Sequence, residues 1–187
     1  LVLPEMADQT AHHPDHLPLV LRVLSELPSL VSFEGALACA LTGQPAGVAL
    51  AVAKRLKLSN EEKERVHWLL ENETVLEQAT NLPNHRLYPV LVHPWVGDLF
   101  TCARARQRAR DLPCPGIEAA EAVLGSRSVS DLDPVPLIDG ADLQAIGIRP
   151  GPLMGRILRK VREEQLDGFL SDKCNALERA TALATPT

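Results

Sequence analysis

Apolar residues recur at helical spacing along most of the chain, and this pattern predicts α-helices rather than strands. The first helical segment follows the N-terminal residues and ends at Pro28, because proline cannot continue a helix. Its predicted buried stripe consists of Leu17, Val20, Leu21, Leu24 and Leu27. The pattern as a whole predicts an all-α fold.

Four more helical segments are predicted before residue 112, and we interpret residues 1–112 as a helical body. Alanine- and leucine-rich runs indicate buried helices, while Ser59 and Glu62 have the spacing of a capping box at a helix start. The predicted helices cover residues 32–41, 48–56, 58–73 with a continuation through 72–82, and 93–112.

A proline-containing stretch at residues 111–116 predicts the boundary to a smaller helical tail, residues 113–187. The tail is expected to hold a short helix over 117–126 and a proline-broken, extended segment over 128–140. A helix-turn-helix unit then starts at Asp139 or Gly140. The last predicted helix lies within residues 171–184 and is capped by Ser171 or Asp172.

Composition supports the helical prediction and limits the class of protein. Apolar residues make up 45% of the chain but aromatic residues only 3%, so Leu, Val, Ala and Ile must fill the core. With a mean hydropathy of -0.01, no membrane span and no signal-peptide pattern, we expect a cytoplasmic protein without a membrane partner. Because the sequence begins without methionine, we also expect a longer parent chain.

Cysteine spacing and net charge narrow the chemistry further. Cys39, Cys102, Cys114 and Cys174 are far apart, which favours reduced thiols over disulfides or zinc. The net charge of -5 means that any surface for nucleic acid must be a local patch.

Two clusters of potential metal ligands have poor spacing, and no metal site is predicted. His12, His13, Asp15 and His16 surround a proline, and we interpret them as a solvated segment. Asp131 and Asp133 form a D-x-D pattern, but Pro134 follows and no strand precedes them, which favours a surface loop. The common nucleotide-binding and hydrolase motifs do not occur, so no catalytic residue is assigned.

An alternating arginine run marks the end of the body. At helical spacing, Arg104 and Arg108 lie on one side of the helix, and Arg106 and Arg110 lie on another. One of these sides is therefore not expected to face a core. A solvated face and a phosphate-binding face both remain possible interpretations.

A turn rich in glycine and proline carries the strongest signal. Gly147 suits a left-handed helix end, and Pro150 and Pro152 suit the turn and the first helical residue. Gly151 and Gly155 have no side chains, so another group can come close to the main chain there. That group is either a phosphate or a packed helix. The following helix is expected to set one basic face, with Arg156, Arg159 and Lys160, opposite one apolar face, with Leu153, Ile157 and Val161.

This stretch resembles the C-terminal region of bacterial tRNA nucleotidyltransferases (CCA-adding enzymes) and the related bacterial poly(A) polymerases. The family pattern reads T-G-x-D-L-x-x-x-G-[LI]-x-P-G-P-x-[IFM]-G-x-[IL]-L, followed by Q-L-x-G. The matching residues are Asp139, which stands where threonine is commoner, then Gly140, Asp142, Leu143, Gly147, Ile148, Pro150, Gly151, Pro152, Gly155, Ile157, Leu158, Gln165, Leu166 and Gly168. Residues 32–41 and 55–73 also resemble body segments of the family, so the resemblance covers nearly the whole chain.

The resemblance implies an RNA-binding body and tail, with a body of the HD type that lacks its metal motif. Asp15 matches that motif, but Leu19, Thr42 and Gly43 stand where the family has metal-binding residues. The family's catalytic head, which uses Mg²⁺ and CTP or ATP, is not included, so this chain alone is expected to be inactive and without a cofactor. The expected partner is tRNA or another RNA, held by Arg104, Arg108, Arg149, Gly151, Arg156, Arg159 and Lys160.

Two other classes of function remain open at this stage. The chain could be a remnant HD-superfamily phosphohydrolase, or a stand-alone helical interaction module. Phosphatase activity on addition of metal would favour the former, whereas tight RNA binding would favour the nucleotidyltransferase-like interpretation.

Overall fold

The computed structural model describes residues 16–44 and 46–184, and over these residues it contains eleven helices and no strand. The all-α prediction is confirmed. None of the described helices combines the length and the apolar composition needed to cross a membrane. The helices are α1 His16–Ser25, α2 Phe33–Ala40, α3 Ala46–Arg55, α4 Asn60–Glu71, α5 Asn84–Leu91, α6 Val96–Arg110, α7 Pro115–Ser126, α8 Val129–Leu132, α9 Gly140–Ala145, α10 Pro152–Leu166 and α11 Lys173–Ala184.

The chain forms two compact units that alternate along the sequence. Among the described residues, the first unit comprises 16–80 and 93–122, and the second comprises 81–92 and 123–184. The boundary expected between residues 112 and 113 therefore lies inside the first unit, and α5 belongs to the second unit.

Small side chains let the helices of the first unit approach closely. Val23 of α1, Cys39 of α2 and Cys102 of α6 share one buried cluster with Ala105 and Ala109. A second cluster joins α2, α3 and α4 through Leu37, Leu41, Ala49, Val52, Ala53, Leu58 and Val66. Asp98 of α6 links two other elements, because it accepts hydrogen bonds from the Ser32 hydroxyl (2.6 Å) and from Arg65 (2.7 Å).

Two sequence predictions for this unit need correction. Of the predicted stripe of α1, Val20 is buried and Leu24 and Leu27 pack against the core, but Leu21 is 57% exposed, and Val23, which was not predicted, is buried. The helix beginning at the Ser59–Glu62 capping box is confirmed, but it ends at Glu71 and does not continue through residue 82.

Residues 72–82 form successive turns whose N–H groups bond to nearby carbonyls, as from Val75 to Asn72 (3.0 Å) and from Gln78 to Thr74 (3.1 Å). The guanidinium of Arg106 donates to the carbonyl of Glu73. Leu76 is fully buried and anchors the segment. These two contacts tie the turns to the rest of the first unit.

The second unit is built around α10 and α11. Its core consists of Ile138, Leu143, Ile148, Met154, Ile157, Val161, Ala176 and Ala180. The expected caps are present: Asp139 accepts from the N–H of Asp142 (2.9 Å), and Asp172 accepts from the N–H of Asn175 (2.9 Å). The segment over 128–140 is not wholly extended, because Ser128 and Asp131 form a capping box that starts the short helix α8.

Candidate nucleic-acid interface

The connection between α9 and α10 has a fixed conformation. The N–H of Ile148 donates to the carbonyl of Leu143 (2.9 Å), and the N–H of Gly147 donates to that of Gln144 (2.9 Å). Gly147 has a φ of 89°, which confirms the predicted left-handed helix end, and the two hydrogen bonds are those of a Schellman motif. Leu143 and Ile148 are both buried, which ties the turn to the core.

The N-terminus of α10 has no side-chain cap. Pro152 is the first helical residue, as the sequence predicts, and Gly151 occupies the capping position. Within the described part of the chain, the N–H groups of Leu153 and Met154 donate to no acceptor. The helix therefore presents unpaired donors and the positive end of its dipole.

The two glycines of this helix start do not serve packing within the described chain. A Cβ atom added at Gly151 or Gly155 would meet no atom within 4 Å. Gly151 has a φ of 156°, a value that residues with a Cβ atom rarely adopt, and this conformation explains why the position is a glycine. Gly155 lies in regular helix and faces open space, so the chain itself gives no reason for a glycine there.

A run of the chain without acidic residues surrounds this turn. Residues 143–162 contain Arg149, Arg156, Arg159, Lys160 and Arg162, but no Asp or Glu. Arg149, Arg156 and Arg159 are exposed and form no ion pair with any described residue. The other cations of residues 137–184 are all paired, so the unpaired positive charge of this segment lies in the turn before α10 and on the first half of that helix.

Lys160 differs from these arginines. Its Nζ lies 3.5 Å from Glu163 and 3.9 Å from Glu164. A bidentate hydrogen bond from Arg179 lowers the pKa of Glu164, and Lys160 adds to this effect. Glu164 is therefore ionised at neutral pH and offsets part of the charge of Lys160.

The arginine run of α6 is largely structural. Arg106 is 3% exposed and donates to Glu77 (3.0 Å), and Arg110 contacts the same carboxylate at 3.4 Å. Arg104 is paired with Glu121, which leaves Arg108 exposed without a described partner. Arg106 thus faces the core, where Glu77 compensates its charge, whereas the side of the helix with Arg104 and Arg108 is not buried. Arg104 and Arg108 lie in the first unit, and the other five predicted site residues lie in the second.

The two clusters of potential metal ligands either have other roles or lie outside the described residues. His12, His13 and Asp15 are among the residues that are not described, and so is the side chain of His16. Asp131 caps α8, and Asp133 pairs with Arg162. Within residues 16–44 and 46–184, no group of three or more His, Cys, Asp or Glu residues could hold a metal ion.

All four cysteines are free thiols. Cys39 and Cys102 are buried next to each other, and the Cys102 thiol donates to the carbonyl of Gly35 (3.4 Å). A hydrogen bond with Cys39, together with burial, raises the pKa of Cys102 and keeps it protonated.

Arg162 and Gln165 shape the surface of α10, although neither was predicted as a site residue. Arg162 donates to the carbonyl of Pro134 (2.6 Å) and to the side-chain oxygen of Gln165 (3.0 Å). Gln165 in turn donates to the carbonyl of Val135 (2.8 Å) and accepts from the N–H of Leu137 (3.3 Å). Together they hold residues 133–137 against α10. Gln165 belongs to the Q-L-x-G match, but the spacing of the sequence does not indicate these contacts, because the backbone partners lie about 30 residues earlier.

The chain matches no protein-family model, and neither a curated protein nor a solved structure matches it.

Proposed function

We propose that the α9–α10 unit binds RNA phosphates, and that the chain is the C-terminal RNA-binding region of a protein similar to tRNA nucleotidyltransferases and poly(A) polymerases. One observation carries the first part of this proposal. Three exposed arginines without described counterions lie just before the helix start and on the first half of α10, whose first-turn amides have no partner in the described residues.

A phosphate group fits this arrangement for two physical reasons. Unpaired amides and the helix dipole favour an anion at the helix start. Arg149, Arg156 and Arg159 add charge at a surface that no acid in residues 143–162 neutralises. Arginine also binds phosphate through two parallel N–H groups. A protein with a net charge of -5 needs such a local patch to bind a polyanion.

The proposed mode of binding is recognition of backbone rather than of sequence. Main-chain amides and arginines contact phosphates, which position an RNA but do not identify its bases. Arg108 is a candidate for a further phosphate contact in the first unit. Arg104 would first have to leave Glu121, so we expect it to contribute less.

The assignment to a nucleotidyltransferase-like protein rests on the resemblance of residues 139–168 to the family pattern. In that family, body and tail grip tRNA while the head adds nucleotides to the 3′ end. We therefore propose that this chain positions tRNA or another RNA, and that Mg²⁺ and CTP or ATP act in a head that these residues do not include.

Binding of a folded tRNA by Arg156→Ala, measured over a range of salt concentrations, tests the proposal. We expect weaker binding and a salt slope lower by roughly one unit, as for the loss of one phosphate contact. Lys160→Ala should lose less, because Glu163 and Glu164 already offset its charge.

Arg86→Ala is the matched control for this experiment. Arg86 is an exposed arginine of the same unit, next to His85, which contacts Asp167 at the opposite end of α10. Its loss should leave tRNA affinity and salt slope close to those of the wild type. Equal affinities of Arg156→Ala and wild type at moderate salt would contradict the proposal, as would a wild type that binds no RNA.

A further inference from the structure

A groove of about 420 Å³ lies between α10 and the segment that precedes α9. Its walls are mainly apolar and include Leu158 and Val161 from α10 and Pro136 from the segment. Its volume falls within the range of about 300–1,000 Å³ found for small-molecule pockets. The groove is therefore large enough for a compact ligand with apolar faces.

Two polar residues of the lining are not available to a ligand. Arg162 and Gln165 use their side-chain groups to hold residues 133–137 in place. Arg162 and Gln165 therefore form part of the groove wall, but most of their donors and acceptors are already used and few remain for a ligand.

Two other polar residues of the lining remain available. Arg159 is exposed and has no ion-pair partner among the described residues. Asp139 uses Oδ1 to cap α9, and its Oδ2 accepts no hydrogen bond from a described residue. A ligand that fills the groove can thus combine an anionic group at Arg159, an apolar body, and a hydrogen-bond donor at Asp139.

We propose that the groove binds one unpaired nucleobase of an RNA strand whose phosphate contacts Arg159. This inference rests on the RNA-binding function proposed above and names the part of the RNA that the surface takes. A nucleotide has the three required features, because its base has flat apolar faces and its base or ribose carries N–H or O–H donors. Arg156 lies one helical turn before Arg159, so consecutive phosphates of the same strand can reach both arginines.

The test compares two short single-stranded RNAs of equal length, one intact and one in which each nucleotide lacks its base. Both strands carry the same phosphates, so the ratio of their affinities isolates the contribution of the bases. Wild type should bind the intact strand at least about fivefold more tightly, as expected when the groove removes about 40 Å² of apolar base surface from water.

Pro136→Glu and Val135→Glu form a matched pair for this test. Both add one carboxylate to the same segment, but Pro136 lines the groove whereas Val135, which is 85% exposed, does not. In Pro136→Glu the affinity ratio should fall close to one, while Val135→Glu should keep the ratio of the wild type. Using the ratio cancels the general repulsion that the added charge exerts on RNA.

A second measurement does not depend on any variant. Titration with adenosine monophosphate should shift the methyl NMR signals of Leu158 and Val161, whereas ribose 5-phosphate should not. Equal affinity of wild type for the two strands, or an unchanged ratio in Pro136→Glu, would overturn the groove inference alone if Arg156→Ala still weakens RNA binding. A wild type that binds neither strand would overturn both proposals.

Discussion

Asp167, at the end of α10, caps helix α5 from 82 residues away in the sequence. Its Oδ1 accepts a hydrogen bond from the backbone N–H of His85 (2.9 Å), and its Oδ2 lies 2.7 Å from Nδ1 of the same histidine. The residue that precedes α5, Pro83, supplies no side-chain cap. Asp167 therefore supplies the acceptor for an N–H group in the first turn of α5 and holds this helix within the second unit.

Replacing Asp167 by alanine should lower the stability of the second unit by about 0.5–2 kcal/mol, the usual cost of losing a cap. Thermal unfolding at pH 7 measures the loss. Asp167→Asn is the matched control, because it retains an oxygen for the N–H of His85 but carries no charge. Melting of Asp167→Ala at the temperature of the wild type would show that the contact has no energetic role.

The stability due to the charge of Asp167 should also depend on pH. Burial raises the pKa of Asp167, but the backbone N–H and side chain of His85 outweigh it, and the net pKa is lowered. A lowered folded-state pKa means that the contribution is present above the unfolded value of about 4 and disappears as pH falls through the folded value. The stability difference between wild type and Asp167→Asn should therefore shrink below about pH 4.

Gly116→Ala should be strongly destabilising because α7 lies directly against the turns that follow α4. A Cβ at Gly116 would stand 2.2 Å from the carbonyl oxygen of Glu77 and 2.5 Å from that of Leu76. Relieving this overlap requires backbone movement, with a typical cost of about 1–3 kcal/mol or more. Gly125→Ala, in the same helix, meets nothing within 4 Å and should be neutral or slightly stabilising. Equal urea midpoints for the two variants would contradict this account.

Helix ends that depend on nearby residues could be predicted from the sequence. The caps at Ser59 and Asp139 and the left-handed end at Gly147 are correct, because each signal and its partner lie within four residues. Helix α5 was not predicted: Pro89 lies inside it, and its cap comes from Asp167. A sequence window around α5 contains neither its cap nor the core that holds it.

The same distinction applies to residues 72–82 and to the candidate site. The apolar spacing of residues 72–82 favours a helix, but they form turns that contact Arg106, which lies 33 residues beyond Glu73 and outside any local window. The Gly147 turn and the exposed arginines around it follow from local sequence. The pairing of Arg104 with Glu121 does not, because no local pattern selects that acid among the many in the chain.

Arg106→Ala and Arg108→Ala should separate the structural and exposed members of the arginine run. Removing Arg106 leaves Glu77 and the carbonyl of Glu73 without their buried donor. The expected loss is about 3 kcal/mol, at the lower end for a broken buried ion pair, because Glu77 is partly exposed and keeps Arg110. Arg108 is exposed, and its loss should change stability by no more than about 0.5 kcal/mol. Urea unfolding compares the two, and similar losses would refute the structural role of Arg106.

Gly155→Ala should change stability and RNA binding in opposite directions. Gly155 has a helical backbone and open space at its Cβ position, so alanine meets no neighbour and should stabilise α10 by up to about 1 kcal/mol. If an RNA phosphate approaches the main chain at the first turn of α10, the added methyl group obstructs it, and tRNA affinity should fall severalfold.

Gly147→Ala is the comparison for Gly155→Ala, because it adds the same methyl group in the same region but at a position where alanine lowers stability. Gly147 has a φ of 89°, a conformation that costs a residue with a Cβ about 1 kcal/mol or more, so this variant should melt at a lower temperature. A loss of RNA binding by Gly155→Ala with a raised melting temperature therefore points to obstruction, since instability is ruled out as its cause. If Gly155→Ala binds tRNA as tightly as wild type while Arg156→Ala does not, the arginine side chains bind the RNA without close approach to the main chain at Gly155.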